Sequence, residues 1–244
     1  MKFDIVTIFP RMVEALLREG ILARSIARGV IDVSIYDLRE YTDDAHRTVD
    51  DAPFGGGPGM VLKPEPFLRA VDRITTERGQ PSVVVATTPQ GRLFEDGEAR
   101  WLSRLDHVTV LCGRYEGIDE RVHQLLSTHE ISIGDYVLSG GEIPALAILD
   151  AVARLLPGAV GDTKSVEQDS FAEGLLDHPH YTRPAAVRGL EVPEVLRSGH
   201  HQEIERWRRR EALKRTLERR PDLLTRASLN AEDRRVLEDL QESD

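Results

Sequence analysis

The sequence has a single cysteine, Cys112, and no apolar run that approaches the ~20 residues of a membrane-spanning helix. One cysteine excludes an internal disulfide framework and is typical of a reducing compartment. The opening segment Met1–Pro10 is apolar over only a few residues and lacks a small-residue cleavage site, so it predicts a first strand and not a signal peptide. We therefore expect a cytoplasmic protein with no membrane segment.

An excess of positive charge is also lacking, because the net charge of the 244 residues is −10. That balance argues against a general nucleic-acid binder. One strip departs from it, since Arg206–Arg220 holds eight basic and two acidic residues. Such a strip can bind phosphates locally, because salt screens each charge beyond roughly 8–10 Å. An isolated charge run is, however, more often the solvated face of a helix.

Residues 1–160 alternate short β-branched runs with helical patterns, which predicts an α/β domain with a mainly parallel sheet flanked by helices. The strands are continuous apolar runs, as expected when helices cover both faces of a sheet. The predicted strands are Phe3–Ile8, Ile31–Asp37, Ser82–Thr87, His107–Cys112 and Glu130–Ile133, and the predicted helices are Arg11–Arg18, Ile21–Arg28, Pro66–Glu77, Gly97–Ser103, Ile118–Leu126 and Gly141–Leu156.

The pattern changes after residue 160. Residues 161–170 are polar and weakly patterned, which indicates an interdomain linker. Residues 171–244 pass through a proline-rich stretch into a helical tail, from about His200 to Leu240, that is rich in arginine, glutamate and leucine. We therefore predict two domains, 1–160 and 171–244, joined by this linker.

No early strand is followed by a glycine-rich turn, which argues against a dinucleotide fold and against the common Rossmann-type methyltransferase. The glycines follow later strands instead, in Thr88–Gly91, Cys112–Glu120 and Gly134–Glu142. Ligands of open parallel sheets bind beyond the carboxyl ends of the strands, and glycine lets the backbone approach a ligand closely. Each loop alone is explained by a tight turn, but three loops in register with strand ends predict a pocket.

The predicted helix Gly141–Leu156 is almost wholly apolar, as buried helices are. Its internal charges, Asp150 and Arg154, lie four residues apart, which suits an ion pair on the helix surface. Alternatively, Arg154 reaches a site that develops negative charge, and the spacing does not separate these two interpretations. We interpret Cys112 as a buried thiol at a strand end and not as a nucleophile.

Several segments together resemble the bacterial tRNA (guanine-N1)-methyltransferases, the TrmD family of the SPOUT superfamily. The matching segments cover almost the whole chain: Phe3–Pro10 (FDIVTIFP), Phe54–Met60 (FGGGPGM), Thr88–Gly91 (TPQG), Leu111–Val122 (LCGRYEGIDERV), Ile131–Glu142 (ISIGDYVLSGGE), Asp169–Phe171 (DSF) and Leu176–Pro184 (LDHPHYTRP). Family members often carry serine where Thr88 stands, and this departure keeps a hydroxyl.

The resemblance implies a sheet whose C-terminal part is threaded into a trefoil knot that holds S-adenosylmethionine. It also implies a small helical C-terminal domain that grips the anticodon arm of tRNA, a homodimer with shared active sites, and dependence on Mg²⁺ at an unknown site. The implied product is 1-methylguanosine immediately 3′ of the anticodon. The implied cofactor-binding residues are Thr87, Thr88, Pro89, Gly91, Gly113, Tyr115, Glu116, Gly117, Ser132, Ile133, Gly134, Asp135, Tyr136, Val137, Leu138, Gly140, Gly141 and Pro144.

The N1 atom of guanine carries a proton near neutral pH, so it is a poor nucleophile until that proton leaves. The resemblance assigns the general base to Asp169 and the stabilisation of charge on O6 to Arg154. Without it, Asp169 would be read as a linker or helix-capping residue. The expected tRNA contacts are Gly57, Pro58, Gly59, Asp177, His180, Arg208, Arg209 and Arg210. Glu116 is expected to face either the sulfonium or a Mg²⁺ ion. A metal site at His178 and His180 is not favoured, because the sequence offers no other ligands at a suitable spacing.

Two rival interpretations remain. Another knotted RNA methyltransferase, such as a ribose 2′-O enzyme, would need no base beside a guanine N1, and the DSF and HPHYTRP segments argue against it. A non-catalytic RNA-binding protein on the same fold would not be expected to keep Gly113, Arg154 and Asp169 together. Mapping the methylated nucleoside separates all three.

Overall fold

The computed structural model describes residues 1–161 and 169–242, and the chain divides into two compact units, Met1–Gly161 and Asp162–Asp244. Most of the predicted interdomain linker, residues 162–168 of 161–170, lies outside the described residues. Within the described parts of the chain, no helix is both long and apolar enough to cross a membrane.

The first unit is built around a five-stranded sheet. The strands of this unit are β1 (Lys2–Thr7), β2 (Asp32–Asp37), β3 (Asp50–Asp51), β4 (Val61–Leu62), β5 (Val83–Leu93), β6 (His107–Cys112) and β7 (His129–Ser132). Its helices are α1 (Pro10–Leu17), α2 (Gly20–Ala27), α3 (Pro64–Arg78), α4 (Asp96–Leu102), α5 (Glu120–Leu125) and α6 (Glu142–Leu155). The sheet order is β2-β1-β6-β5-β7 and every neighbouring pair is parallel, whereas β3 and β4 form a separate antiparallel pair. The predicted mainly parallel α/β fold is thus confirmed.

Strand β1 shows why the sequences of these strands are continuous apolar runs. Successive side chains of a strand point to opposite faces of the sheet. Phe3 and Ile5 pack into the cluster that includes α6, while Val6 packs into the cluster that includes α3, and all three are fully buried. Helices therefore cover both faces, and the loops after the strands form the carboxyl edge of the sheet.

Strand β5 is longer than the sequence predicts. The predicted end at Thr87 is wrong, because the strand continues to Leu93 and contains the TPQG segment. Its register against β7 shifts between Thr87 and Arg92, so the intervening residues bulge from the sheet. A Cβ atom on Gly91 would lie 2.4 Å from the backbone nitrogen of Ile131. Glycine at this position therefore allows the strand to rejoin β7 after the bulge.

A buried ion-pair network lies on the α3 face of the sheet. The carboxylate of Asp4 is fully buried, with Arg78 Nε at 2.9 Å from one oxygen and the His107 ring hydrogen-bonded to the other. Burial raises the pKa of Asp4, against the lowering effect of His107 and Arg78. Because Asp4 and Thr7 are three residues apart in β1, their side chains point to opposite faces.

The second unit has short strands β8 (Ala186–Val187) and β9 (Leu190–Glu191) and helices α7 (His201–Arg219), α8 (Pro221–Leu224) and α9 (Ala231–Glu242) among its described residues. The predicted helical tail is therefore interrupted. Pro221 starts α8, since proline suits the first helical position and cannot continue a helix. Asn230 precedes α9, and its side chain and that of Asp233 each accept a hydrogen bond from the other's backbone at 2.9 Å, forming a capping box.

Candidate functional site

A cavity of about 390 Å³ lies at the carboxyl edge of the sheet, within the first unit. Three chain segments, in the β5 bulge and after β6 and β7, form its walls. Its lining residues are Thr87, Thr88, Pro89, Gln90, Gly113, Arg114, Tyr115, Glu116, Gly117, Ile118, Glu120, His123, Ile131, Ser132, Ile133, Gly134, Tyr136, Val137, Leu138, Ser139, Gly140, Gly141 and Pro144. The structure thus brings together the three glycine-containing segments that the sequence placed at strand ends.

All but two of the residues expected to bind the cofactor line this cavity. Gly91 does not, because it lies against the backbone of β7 where the β5 bulge closes. Asp135 does not line it either, although its neighbours Gly134 and Tyr136 do, and it is exposed to solvent. Gly91 and Asp135 therefore stay predictions that the cavity lining does not include.

The lining includes residues that the sequence reasoning did not single out. Arg114 and Ser139 lie inside the glycine-rich segments themselves, so their presence there was the available signal. Glu120 and His123 come from α5 and face the cavity because that helix starts directly after the β6 loop. Spacing alone could not select them, since which face of α5 meets the cavity depends on how the helix packs.

The loop after β7 packs directly on the end of β6. The Gly141 amide donates to the Gly113 carbonyl at 2.8 Å, and the Thr87 hydroxyl donates to the Leu111 carbonyl at 3.1 Å. A Cβ atom on Gly141 would lie 2.1 Å from the Thr87 hydroxyl and 2.9 Å from the Gly113 nitrogen. Close packing, and not positive φ, is the reason for glycine at 141, because its φ is −81°.

Tyr115 sits in the cavity wall with a strained backbone. Its φ is +61°, in the left-handed region, and its side chain is half exposed. That conformation costs a non-glycine residue roughly 1–3 kcal/mol and is found disproportionately at functional sites.

Cys112, at the end of β6, is fully buried, which confirms the prediction of a buried thiol at a strand end. Burial raises the pKa of this thiol well above its usual value, with a further increase from the charge of Glu142. A thiol that stays protonated is a poor nucleophile.

The glycine-rich loop Phe54–Met60 lies beside the cavity wall. The three predicted substrate residues in it, Gly57, Pro58 and Gly59, are exposed. The loop is anchored next to the cavity, because the Glu116 amide donates to the Met60 carbonyl at 3.0 Å and the Leu62 amide donates to the Gly117 carbonyl at 3.0 Å.

Arg154 does not line the cavity of its own chain. It lies in the last turn of α6, whereas Pro144, in the first turn, does line it. Ten residues of helix separate them by roughly 15 Å along the axis. Within one chain, the predicted O6-stabilising residue and the cavity are therefore apart.

Asp169 lines a cavity of about 230 Å³ within the second unit, together with Asp177, His178 and Arg208. Next to it, Asp177 accepts a hydrogen bond from His180 at 2.7 Å, and the rings of His178 and His180 lie 4.4 Å apart. These three side chains hold potential ligand atoms within 4.8 Å of one another. Two imidazoles and one carboxylate suit a transition metal and not Mg²⁺, which prefers oxygen ligands.

The three consecutive arginines expected to bind RNA differ in their surroundings. Arg209 donates to both carboxylate oxygens of the buried Asp233 at 2.9 Å and to Glu173 at 2.6 Å. It therefore serves to hold the second unit together. Arg208 pairs with Glu205 at 2.9 Å and is 41% exposed in its side chain, while Arg210 is exposed.

These features define an α/β protein with a ligand-sized cavity at the carboxyl edge of a parallel sheet. Because its first strand is not followed by a glycine-rich turn, it differs from the common Rossmann-type methyltransferases. The family model described as tRNA (Guanine-1)-methyltransferase TrmD matches residues 1–226. The chain therefore belongs to the TrmD family of tRNA (guanine-1)-methyltransferases.

Individual relatives agree with the family match. The tRNA (guanine-N(1)-)-methyltransferase of Moorella thermoacetica is 52% identical over 242 residues, which cover 98% of this chain and 96% of that protein. Proteins of the same name from Geobacter metallireducens and Thermotoga maritima are 50% and 51% identical over 242 and 240 residues. These matches cover 99% and 98% of this chain and 98% and 97% of the two relatives.

Proposed function

We propose that this chain transfers the methyl group of S-adenosylmethionine to N1 of the guanosine immediately 3′ of the anticodon in tRNA. The observation that carries the proposal is a coincidence of two results. The family match spans residues 1–226, and three of the segments that carry the family resemblance, Thr88–Gly91, Leu111–Val122 and Ile131–Glu142, contribute residues to the cavity lining. Relatives of similar length bear the name of this activity.

The cavity fits a cofactor of this kind. Its volume of about 390 Å³ lies within the roughly 300–1,000 Å³ of small-molecule sites. Glycines 113, 117, 134, 140 and 141 leave backbone groups accessible to an adenine edge and to ribose hydroxyls. S-adenosylmethionine supplies an activated methyl group, so the protein has to position the donor and remove the proton of the acceptor. No covalent enzyme intermediate is required.

We propose further that the C-terminal part of the sheet is knotted. Strand β7 is at the edge of the sheet, beyond β5, yet Gly141 hydrogen-bonds Gly113 at the end of β6. After β7 the chain thus returns past the end of β5 before α6 begins. This return path supports a threaded arrangement, which is rare among folds.

Asp169 takes the proton from N1 in this proposal, and Arg154 stabilises the negative charge that then develops on O6. Arg154 is distant from the cavity of its own chain, which supports an active site completed by a second copy in a homodimer. Apolar side chains of α1, Met12 and Leu16, are each 42% exposed, as a protein-protein contact would require.

The tRNA contacts proposed for the second unit are Asp177, His180, Arg208 and Arg210. Arg209 is left out because its guanidinium is already paired with two carboxylates. A tRNA anticodon arm presents a regular array of phosphates, and partly exposed arginines bind such groups without selecting a sequence. Gly57, Pro58 and Gly59 offer a further exposed surface beside the cofactor cavity.

Dependence on Mg²⁺ stays a prediction. The one group of potential ligands found among the described residues, Asp177 with His178 and His180, is too rich in nitrogen for that ion. No step of the proposed reaction is therefore routed through a metal.

Replacing Asp169 with Asn tests the proposed general base. Loss of the carboxylate should slow methyl transfer by about 10²–10⁴-fold, because the amide cannot accept the N1 proton. Equilibrium affinity for S-adenosylmethionine should stay within about twofold of the parent, since the residues that line the cofactor cavity all belong to the first unit and Asp169 belongs to the second. Single-turnover transfer to tRNA and calorimetric titration of the cofactor measure the two quantities. Unchanged turnover would remove the proposed role of Asp169.

A further inference from the structure

A fully buried carboxylate lies directly behind the cofactor cavity. Glu142 is the first residue of α6, has no exposed surface, and does not line the cavity itself. One carboxylate oxygen accepts a hydrogen bond from the Thr7 hydroxyl at 2.7 Å. The other accepts from Arg114 Nε at 2.9 Å and lies 2.8 Å from Arg114 Nη2. Removing a carboxylate from water costs free energy, and pairing with an arginine and a further hydrogen bond offset that cost.

Arg114 connects this carboxylate to the cavity wall. Its Nη1 donates to the Ser139 carbonyl at 3.0 Å, and its guanidinium stacks over the ring of Phe9 at 4.6 Å. A Cβ atom on Gly140 would lie 2.0 Å from Arg114 Nε, so the wall segment packs tightly on the arginine. The guanidinium thus holds the wall at Ser139 and Gly140, next to the backbone hydrogen bond between Gly141 and Gly113.

The guanidinium is in turn held by Glu142. Arg114 Nε and Nη2 both lie against one oxygen of this carboxylate, at 2.9 and 2.8 Å, and these charge-assisted contacts fix the orientation of the guanidinium. The start of α6 adds to the effect, because a helix N-terminus stabilises a carboxylate placed there. Thr7 anchors the same carboxylate to the end of β1. The position of the cavity wall is therefore tied to the rigid sheet through Glu142 and Arg114.

We infer that Glu142 is a positioning residue for the methyl donor, acting through Arg114 on the wall Ser139–Gly141. This inference rests on the proposed use of the cavity for S-adenosylmethionine. Neither residue was expected from the sequence to have a functional role. The Glu142–Arg114 pair sets the shape of the cofactor site before the cofactor arrives, so its loss is felt in donor affinity more than in the chemical step.

Replacing Glu142 with Gln tests this inference, with Asp4→Asn as the matched control. Both changes convert a fully buried carboxylate, paired with one arginine, into an amide of the same size. Asp4 lies on the opposite face of the sheet and away from the cavity. We expect Glu142→Gln to weaken S-adenosylmethionine binding by roughly 10- to 100-fold, the effect of one or two charged hydrogen bonds. Asp4→Asn should change that affinity by less than about twofold, even if it destabilises the fold.

A second variant, Arg114→Lys, keeps the positive charge but replaces the planar fork that contacts Glu142 and Ser139 with a single ammonium nitrogen. It should weaken donor binding to a similar degree and raise the KM for S-adenosylmethionine, with the KM for tRNA unchanged. In the absence of cofactor, amide hydrogens of Ser139–Gly141 should exchange faster in both variants, while those of β1 keep their protection. The exchange measurement does not depend on activity.

Cofactor binding by the parent protein and hydrogen exchange in Ser139–Gly141 distinguish a failure of the proposed function from a failure of the role inferred for Glu142. If the parent protein fails to bind S-adenosylmethionine, the proposed function fails, and the exchange of Ser139–Gly141 still tests the role of Glu142. If the parent binds and a folded Glu142→Gln protein binds equally well, with unchanged exchange in the wall, the inference is overturned. Equal loss of affinity in Asp4→Asn would also overturn it, because the effect would then be general destabilisation.

Discussion

At the scale of single residues, the second unit depends on Arg209, whose structural role the sequence pattern does not indicate. Arg209 lies between two arginines of the basic strip, yet it pairs with Asp233, which is almost fully buried. The Arg209 guanidinium lowers the pKa of Asp233, and Asp233 also caps the start of α9. One arginine therefore joins α7 to α9, although its sequence context suggests a solvent-facing position.

Arg209→Ala should destabilise the second unit by roughly 2–3 kcal/mol. That is at or below the lower limit of the roughly 3–5 kcal/mol for breaking a buried pair, because Arg209 itself is partly exposed. The neighbouring Arg210→Ala, at an exposed position, should change stability by less than about 0.5 kcal/mol. Urea unfolding followed by the fluorescence of Trp207, which lies in α7, compares the two. Equal stability of both variants would contradict the structural role of Arg209.

At the scale of elements, the alternation of apolar runs and helical patterns was sufficient to predict the sheet and its helices. Strands with β-branched runs, such as β6, are found where they were predicted, because burial on both faces leaves a strong pattern. The end of β5 was missed because the TPQG segment has the composition of a turn, and its return to the sheet depends on contact with β7. That contact pairs Arg92 with Ile131, 39 residues further along the chain, and local composition does not encode it.

In the candidate site too, some parts could be predicted from the sequence and others could not. Glycines after strand ends predicted most of the cavity wall, since the carboxyl ends of parallel strands share one edge. The role of Glu142 could not be predicted, because it depends on Thr7 and Arg114, which are distant along the chain. Of the two residues proposed for the chemistry, Asp169 was singled out only through the family resemblance, while the helix pattern left the role of Arg154 open between an ion pair and a functional site.

Gly141→Ala should disturb the junction between the β7 loop and β6. The added methyl group would overlap the Thr87 hydroxyl and the backbone at Gly113, and such overpacking costs about 1–3 kcal/mol. Cofactor affinity should fall with it, because Gly141 lines the cavity. The control Gly97→Ala, in α4, meets no atom within 4 Å and should be neutral or stabilising by up to about 1 kcal/mol. Thermal unfolding and cofactor titration of the two variants distinguish close packing from a general effect of replacing glycine.

At the scale of the whole molecule, an acidic chain has to bind a polyanion. The net charge is −10, so long-range attraction to tRNA cannot come from the protein as a whole. Binding must depend on local positive groups, and the strip Arg206–Arg220 is the densest of them in the sequence. Since Arg209 is occupied, Arg208 and Arg210 are the members of the triplet expected to contact phosphates.

Replacing Arg208 and Arg210 together with Ala should weaken tRNA binding and flatten its salt dependence. Each phosphate contact that is lost should reduce the slope of log affinity against log salt by about 0.7–0.9. A double variant of the first unit, Arg73→Ala with Arg104→Ala, changes the net charge equally at exposed positions away from the cavity. Filter-binding titrations over a salt series measure both slopes. The same slope for both double variants would return the strip to the role of a solvated helix face.

Methylation of N1 in the guanosine immediately 3′ of the anticodon is the activity that we propose for this chain. It is tested most directly by incubating the protein with unmodified tRNA and methyl-labelled S-adenosylmethionine, then digesting the RNA and identifying the labelled nucleoside and its position. We expect label in 1-methylguanosine, at the position immediately 3′ of the anticodon. Label in a 2′-O-methylated ribose, or tRNA that is bound but never labelled, would contradict it.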